Sequence, residues 1–250
     1  MLKDMKKLTL PGFAALLLLV TLNSCEYGPF GCLRGNGVLI EETRDLNQFT
    51  GIISEGDFDI NIVVDTICKA VIEADENLMN YISTYVRSGN LVIDNSSRRC
   101  LRNADGNPIN IWLHVPYVDY INLTGSGVIY CQDFLYLEYI RIELIGSGIV
   151  DLRDLDVISL DAILTGSGEI ELWGICEEGD LSIPGSGVIK ALHLEQDICD
   201  ASISGSGDMY VFVYDILDAH ISGSGNIYYQ GNPRITTRIT GSGKVKPLNK

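Results

Sequence analysis

Residues 121–129 read Ile-Asn-Leu-Thr-Gly-Ser-Gly-Val-Ile, and the Gly-Ser-Gly triplet within them recurs along the C-terminal half of the chain. Seven copies occur, and their starting positions are 18 to 21 residues apart. A flexible glycine–serine linker does not alternate with apolar segments at a nearly fixed interval, so we interpret each triplet as a turn. The predicted structural turns are the paired glycines Gly125, Gly127, Gly146, Gly148, Gly166, Gly168, Gly185, Gly187, Gly205, Gly207, Gly223, Gly225, Gly241 and Gly243.

Apolar residues stand at fixed positions on both sides of the triplet. Leu123 lies two residues before the first triplet and Ile129 two residues after it, and all other copies are apolar at both positions. Ile121, four residues before the triplet, is matched by an apolar residue in every copy except the last, where Thr237 stands. This period-two alternation is typical of a β-strand with one buried face.

Repeat length limits how these strands can form a core. A β-rich unit of about 20 residues cannot bury its own apolar face, so successive copies must stack. Parallel strands about 4.8 Å apart then place like residues above like, with glycine at corners that need positive φ or close backbone approach. The pattern predicts an all-β fold, a right-handed parallel β-helix (solenoid) of roughly 20-residue Gly-Ser-Gly rungs.

The region before the repeats, residues 38–116, keeps the β pattern but lacks the triplet. Within it, Ser54-Glu55-Gly56 is followed by the apolar residues Phe58 and Ile60 and resembles a degenerate triplet. Solenoids need covered ends, because an open edge promotes aggregation. We therefore predict that this region caps the N-terminal end of a solenoid that occupies residues 117–250.

One segment of this region has helical spacing. Residues 75–87 place apolar side chains on one helical face, Asp75 is a suitable N-cap, and Ser88-Gly89 would end the helix. We predict a short helix there, as part of the N-terminal cap.

The N-terminus is typical of an export signal, with three lysines in its first seven residues and an apolar stretch at 13–22. That stretch is too short to span about 30 Å of hydrocarbon. The motif Leu-Asn-Ser-Cys that follows ends at Cys25 and resembles a bacterial lipobox. We predict a lipoprotein signal peptide over 1–24, lipidation of Cys25, and a lipidated N-terminus and linker over 25–37; an ordinary signal peptide is the alternative. The expected location is the cell envelope, at the outer membrane, with the N-terminal lipid as membrane contact.

The chain is strongly acidic, with a formal net charge of −15. Such a surface repels phosphate backbones, so nucleic acid is not an expected partner, whereas cations and basic partners are compatible with it. Six cysteines follow Cys25 and allow 15 pairings, none of which the sequence selects. Cys131 and Cys199 stand where other copies have apolar residues, so buried free thiols are as plausible as disulfides.

Three short patterns carry a family resemblance: Gly-Asp-Phe-Asp-Ile at 56–60, Leu-Val-Ile at 91–93, and the repeated Leu-Thr-Gly-Ser-Gly-x-Ile. With the predicted lipoprotein start, they resemble the putative auto-transporter adhesin, head GIN domain family, over roughly residues 38–246. This family is common in Bacteroidetes-type bacteria. The resemblance implies a β-helical fold and an envelope location, and it implies no catalytic residues.

Catalytic and metal-binding patterns are weak. The repeated serines lie in Gly-Ser-Gly turns and not in a Gly-x-Ser-x-Gly nucleophile motif, and His114, His193 and His220 have no fixed spacing to a cysteine or carboxylate. We expect no catalytic residue, metal or cofactor. Outward carboxylates could still form an enzymatic cluster, or a calcium site beside Glu169 and Glu171, although a solvated acidic face explains them more simply. The candidates are Glu143, Asp151, Asp161, Glu169, Glu171 and Asp208.

Aromatic residues give the best indication of binding. Tyr130, Tyr210 and Tyr228 occupy the same position in three repeats, three residues after the triplet. Aligned tyrosines on a solenoid could contact sugar rings or anchor a protein, or they could be ordinary β-forming residues on a half-buried face.

The sequence therefore favours a non-enzymatic envelope lipoprotein that uses a solenoid face for adhesion, or for glycan or protein binding. A carbohydrate-active β-helix enzyme, a polysaccharide lyase or hydrolase, is the alternative. A catalytic cleft should interrupt the repeat, whereas this repeat is regular from Gly125 to Gly243. A purely structural envelope component is a third hypothesis.

Overall fold

The structure is a computed structural model, and it describes residues 31–97 and 99–248. The predicted signal peptide and Cys25 lie outside these residues. Within them the chain forms nineteen β-strands and one four-residue helix. No helix in this part of the chain is both long and apolar enough to cross a membrane.

The strands fall into two groups along the chain. Before the repeats lie β1 (Leu33–Arg34), β2 (Leu39–Asp45), β3 (Gly51–Glu55), β4 (Phe58–Val64), β5 (Lys69–Asp75), helix α1 (Glu76–Met79), β6 (Ile82–Arg87), β7 (Asn90–Asn95), β8 (Leu101–Arg102) and β9 (Ile109–Val115). The repeats form β10 (Tyr120–Gly125), β11 (Val128–Cys131), β12 (Leu135–Gly146), β13 (Ile149–Gly166), β14 (Glu169–Ile183), β15 (Val188–Ile203), β16 (Asp208–Gly223), β17 (Asn226–Gly231), β18 (Arg234–Gly241) and β19 (Lys244–Pro247).

Successive repeats pair in parallel, which confirms the predicted all-β solenoid. Each repeat is here called a rung, numbered 1 to 7 by its triplet. The strand before the triplet forms face A, the strand after it forms face B, and the segment that leads to the next rung forms face C. Long strands such as β13 continue around the corners and contribute to all three faces.

The core consists of like residues stacked rung on rung. On face A, Ile121, Ile142 and Ala162 are in register and have no exposed surface. The columns that begin with Leu123 and Ile129 are buried in the same way. In rung 7, Ile239 is 44% exposed, because none of the described residues covers the last rung. The predicted inward alternation therefore holds.

Glycine is required at the triplet corners because the backbones of adjacent rungs touch there. Gly166 has a φ of +130°, and a Cβ built on it would lie 2.2 Å from the carbonyl oxygen of Gly146 in the rung before. A Cβ on Gly168 would lie 2.5 Å from the carbonyl oxygen of Gly148. The amide of Ser167 donates to the Gly146 carbonyl at 2.9 Å, so the close approach carries a hydrogen bond.

A rung without the triplet lies beneath rung 1. Strands β3 and β4 pair in parallel with β10 and β11, and this register places Gly56-Asp57-Phe58 under the triplet 125–127. The predicted degenerate triplet, Ser54-Glu55-Gly56, is therefore wrong by two residues. Ser54 instead occupies the inward position of Leu123 and is fully buried, and its hydroxyl has no partner among the described residues.

The predicted helix over residues 75–87 is mostly wrong. Helix α1 spans only Glu76–Met79, and β6 (Ile82–Arg87) is a strand that pairs antiparallel with β7. Ser88 and Gly89 both have positive φ, of 52° and 81°, and form the two-residue turn of a β-hairpin. On β6, Ile82 and Val86 share one face and the exposed Tyr85 lies on the other, as in a strand, and the Ser-Gly pair predicted to end a helix is a hairpin turn.

Antiparallel strands end the parallel stack on its N-terminal side. On one side, β5 pairs with β9 and β2 pairs with β5. On the other side, β6 pairs with β7. Arg44 on β2 closes this end, because its guanidinium donates to the carbonyl of Ile82 at 2.7 Å and to Thr84 Oγ1 at 3.1 Å. Strands β2 to β7 and β9 share one hydrogen-bonded sheet with the repeat strands β10 to β19.

Of the six cysteines that the structure describes, two form a disulfide and four are free thiols. Cys32 and Cys100 form a disulfide beside the two-stranded sheet of β1 and β8. Cys131, Cys176 and Cys199 are buried and free, in agreement with the alternative of buried free thiols. Burial raises the pKa of Cys131 to about 11 and that of Cys176 to about 12, so both remain protonated, unreactive thiols near neutral pH.

Replacement of Gly166 by alanine should destabilise the chain severely. The added Cβ would meet backbone that cannot move without separating two rungs, so we expect a loss of about 3 kcal/mol or more in the free energy of unfolding. Urea denaturation of residues 26–250 measures this loss. Gly106→Ala is the matched control, because Gly106 also has a positive φ, of +87°, but has open space around it; it should cost only about 1 kcal/mol. Equal losses in the two variants would refute the backbone-contact explanation.

Candidate binding surfaces

The three predicted tyrosines share one outward column on face B. From rung 1 to rung 7 the register gives Tyr130, Asp151, Glu171, Lys190, Tyr210, Tyr228 and Lys246. The rings of Tyr210 and Tyr228 are stacked, with centroids 4.9 Å apart. Tyr130 is four rungs from Tyr210, or about 19 Å at the usual strand spacing. The structure brings two of the three tyrosines together.

Neighbours cover both ring faces of Tyr228 and one ring face of Tyr210. Tyr210 lies against one face of Tyr228, and Lys246 Nζ lies 5.5 Å from the Tyr228 centroid. Lys190 occupies the same column position one rung before Tyr210. Burial, followed by the negative charge of Asp208, raises the pKa of Tyr210. Tyr228 therefore offers a ligand its edge and hydroxyl and little open ring face.

A second aromatic stack lies beside the tyrosine column on face B. The rings of Trp173 and His193 are 3.8 Å apart between centroids, and the Arg153 guanidinium lies 4.6 Å from the Trp173 ring. Trp173 Nε1 donates to Glu171 at 3.0 Å, and Arg153 donates to Asp151 at 2.6 Å. The hydrogen bond to Asp151 is the main cause of the raised pKa of Arg153. Rings and charges are thus held in a fixed order.

The repeat is interrupted at the end of this stack. Ala191 pairs with Val211 and Glu195 pairs with Phe212, so Leu192, His193 and Leu194 have no counterparts in rung 5. His193 is exposed and ends the ring stack. The predicted regularity of the repeat is therefore wrong here, although the triplets themselves continue unbroken.

The interruption leaves a groove of about 410 Å³, which we call the His193 groove. Its lining is mainly apolar and combines an exposed imidazole with one cation, one carboxylate and one phenol. It is formed by Glu171, Val188, Lys190, Leu192, His193 and Tyr210.

The sequence alone does not predict the His193 groove, because His193 has no fixed spacing to a cysteine or carboxylate and no repeat carries an equivalent histidine at its position. A signal was present, since the triplet spacing falls from 20 residues after Gly185 to 18 after Gly205. A shorter rung must leave residues of the longer rung unpaired, but the spacing alone does not locate them.

Each of the six outward carboxylates named in the sequence analysis forms an ion pair or accepts a hydrogen bond within the chain. Arg141 pairs with Glu143 and Asp161, Arg153 with Asp151 and Glu171, and Lys190 with Glu169. Asp208 accepts hydrogen bonds from Asn226. Among the residues that the structure describes, no group of three histidines, cysteines or carboxylates is placed to hold a metal ion.

Face A carries a column of like charges. Asp161, Asp180, Asp200 and Asp218 are in register on four successive rungs, and Arg141 pairs only with the first. Partial burial raises the pKa of Asp180, and the neighbouring charges of Asp161 and Asp200 raise it further. Like charges directly opposite one another on a sheet are destabilising.

Asp180→Asn should therefore stabilise the chain by about 0.5 kcal/mol near pH 7. The folded-state pKa of Asp180 is raised, so its contribution to stability falls as the pH rises from the unfolded pKa through the folded pKa. The gain should thus vanish in acid, where the carboxyl is protonated in both states. Urea unfolding across the acid range tests this, with Asp156→Asn as control, because Tyr136 and Ile175 are the neighbours of Asp156 in its column. A pH-independent gain would contradict the charge explanation.

The fold is a parallel β-solenoid that carries an aromatic-lined groove on face B. The chain belongs to the family described as putative auto-transporter adhesin, head GIN domain, whose model matches residues 48–233. This confirms the resemblance predicted from the sequence. No match was found among curated proteins.

Solved structures from Bacteroides and Parabacteroides species share this fold. A structure from Bacteroides fragilis described as a putative adhesin is 25% identical, with a TM-score of 0.80, over 86% of this chain and 100% of that chain. A Parabacteroides distasonis structure described as a putative lipid binding protein is 26% identical, with a TM-score of 0.72, over 87% and 99% of the two chains. A Parabacteroides merdae structure, 21% identical with a TM-score of 0.69 over 88% and 100%, supports the fold alone.

Proposed function

We propose that this chain is a non-enzymatic, adhesin-like lipoprotein of the cell envelope that binds a glycan in the His193 groove. The observation that carries the proposal is the exposed His193 ring, which stacks on Trp173 and lines the groove at the point where the repeat is interrupted. Family membership supports an adhesin-like role at the cell surface or envelope.

The groove has the chemical features that a sugar ring requires. The C–H groups on the flat face of a pyranose carry slight positive charge and contact the negative π face of an aromatic ring. His193 offers such a face, and Trp173 and Arg153 behind it fix its orientation. Glu171, Lys190 and the Tyr210 hydroxyl lie at the groove and can hydrogen-bond sugar hydroxyls. A volume of about 410 Å³ lies within the usual range for ligand pockets.

The predicted tyrosines have unequal parts in this proposal. Tyr210 lines the groove, and Tyr228 holds it from the next rung. Tyr130, four rungs away, lies outside the groove lining and would contact only a long ligand that continues along face B.

The charges around the groove favour binding over catalysis. Glycoside hydrolysis canonically uses two carboxyl groups that flank the bond, about 5 to 9.5 Å apart. The groove lining contains one carboxylate, Glu171, and this group already accepts from Trp173 and lies 3.5 Å from the Arg153 guanidinium. A carboxylate held in this way is a positioned hydrogen-bond acceptor and a poor general acid.

His193→Ala should weaken binding of residues 26–250 to its best ligand on an array of envelope and host polysaccharides by about tenfold, because the stacking face is lost. The control is His220→Ala, since His220 is an outward histidine on face A, distant from the groove lining. Reducing ends and unsaturated sugars are assayed in parallel. Release of either product would overturn the non-enzymatic proposal, and equal effects of the two histidines would overturn the groove. An acyl-chain ligand that competes at His193 would instead favour lipid binding.

The lipid anchor is a separate part of the proposal. Full-length protein expressed in a Bacteroidetes host should enter the detergent phase of a phase-separation assay, and Cys25→Ser should leave it in the aqueous phase. Cys68→Ser is the matched control, because Cys68 is a free, partly exposed cysteine of the folded part. A mature N-terminus beyond residue 25, or an unmodified Cys25, would contradict lipidation.

A further inference from the structure

Face C carries an exposed apolar surface that the groove does not use. Its aromatic and aliphatic side chains are between 45% and 70% exposed, and Tyr136 is the most exposed of them. Tyr136 also joins two shallow hollows, of about 320 and 470 Å³. We call this area the face C surface; its large exposed apolar residues are Tyr117, Tyr136, Tyr139, Ile158, Ile175 and Tyr214.

Carboxylates surround these side chains, and the two hollows have no lysine, arginine or histidine in their lining. The acidic lining residues are Asp119, Glu138, Asp156, Glu177, Glu195 and Asp197. Glu195 accepts a hydrogen bond from the Tyr214 hydroxyl at 2.6 Å, which raises the pKa of Tyr214 and keeps it protonated. The acidic groups and rings are therefore interleaved and do not form separate zones.

Ion pairs neutralise several carboxylates on faces A and B, whereas the face C surface has no such pair among the described residues. Arg141, Arg153 and Lys190 each pair with carboxylates on faces A and B. Within residues 31–97 and 99–248, none of the six face C carboxylates forms an ion pair. Uncompensated charge around exposed apolar side chains is the pattern of a surface whose complement is on another molecule.

Ligand classes differ in how much of this surface they satisfy. A neutral glycan would leave six carboxylates unneutralised, and nucleic acid or anionic lipid would be repelled. A small polyamine would neutralise charge but would leave the rings and isoleucines exposed to water. A basic polypeptide offers both cations and apolar side chains along one chain.

We propose that the face C surface docks a basic, apolar-rich polypeptide segment of a partner protein. Lysine or arginine side chains of the segment reach the carboxylates around Tyr136 and Tyr214, and its apolar side chains cover Ile158 and Ile175. This site is separate from the His193 groove, so each can be tested without the other.

The test uses a short labelled peptide of alternating lysine and leucine, and fluorescence anisotropy with residues 26–250. Asp156→Asn combined with Asp197→Asn should weaken binding about tenfold, because both carboxylates line the hollow of about 320 Å³, which has four carboxylates in its lining. Asp200→Asn combined with Asp218→Asn removes the same charge from face A and should change binding less than about twofold. Tyr136→Ser should also weaken binding, whereas a lysine–serine peptide should bind about tenfold more weakly than the lysine–leucine peptide.

Three results would overturn the proposal. Equal weakening by the two aspartate pairs would mean attraction by net charge alone, and equal binding of the two peptides would remove the apolar contribution. Self-association of the chain that Asp156→Asn and Asp197→Asn abolish would identify a second copy as the occupant. His193→Ala should leave peptide binding unchanged, so failure of this proposal and failure of glycan binding are distinguishable.

Discussion

The glycine-on-glycine contact at the corners is the constraint on which the rest of the structure depends. Each first glycine of a triplet rests on the carbonyl oxygen of the glycine one rung before, at a distance that excludes any Cβ. This contact aligns the rungs, and the alignment stacks isoleucine on isoleucine inside and charge on charge outside. The core, the aspartate column of face A and both aromatic stacks of face B follow from one backbone spacing.

The sequence predicts most of the fold because equivalent positions of successive repeats are the positions that stack on one another. Where the repeat fades, local patterns become ambiguous, and two interpretations failed. Ser88-Gly89 ends a helix or turns a hairpin with equal ease, and only the pairing of β6 with β7 decides between them. Phe58 occupies a triplet position that glycine fills elsewhere, so the true register of the first rung could not be found by matching Ser-x-Gly.

The binding surfaces were less predictable, for a different physical reason. Tyr210 and Tyr228 were correctly aligned, but the loss of their open ring faces to Lys246 and to each other depends on side-chain contacts. The position of the His193 groove depends on which three residues of the longer rung remain unpaired, and the triplet spacing does not specify them. Which carboxylates are neutralised also depends on the three-dimensional structure, since Arg153 lies between carboxylates of two rungs.

A chain built of near-identical rungs has an ambiguity that most folds lack, because a slip by one whole rung again places every glycine over a glycine. The residues that depart from the repeat remove this degeneracy. Buried Ser54, Phe58 at a triplet position, and the unpaired bulge at His193 each fit only one alignment. The irregularities weaken the periodic signal, but each one distinguishes its rung from the others. They therefore allow a repetitive sequence to have one native register.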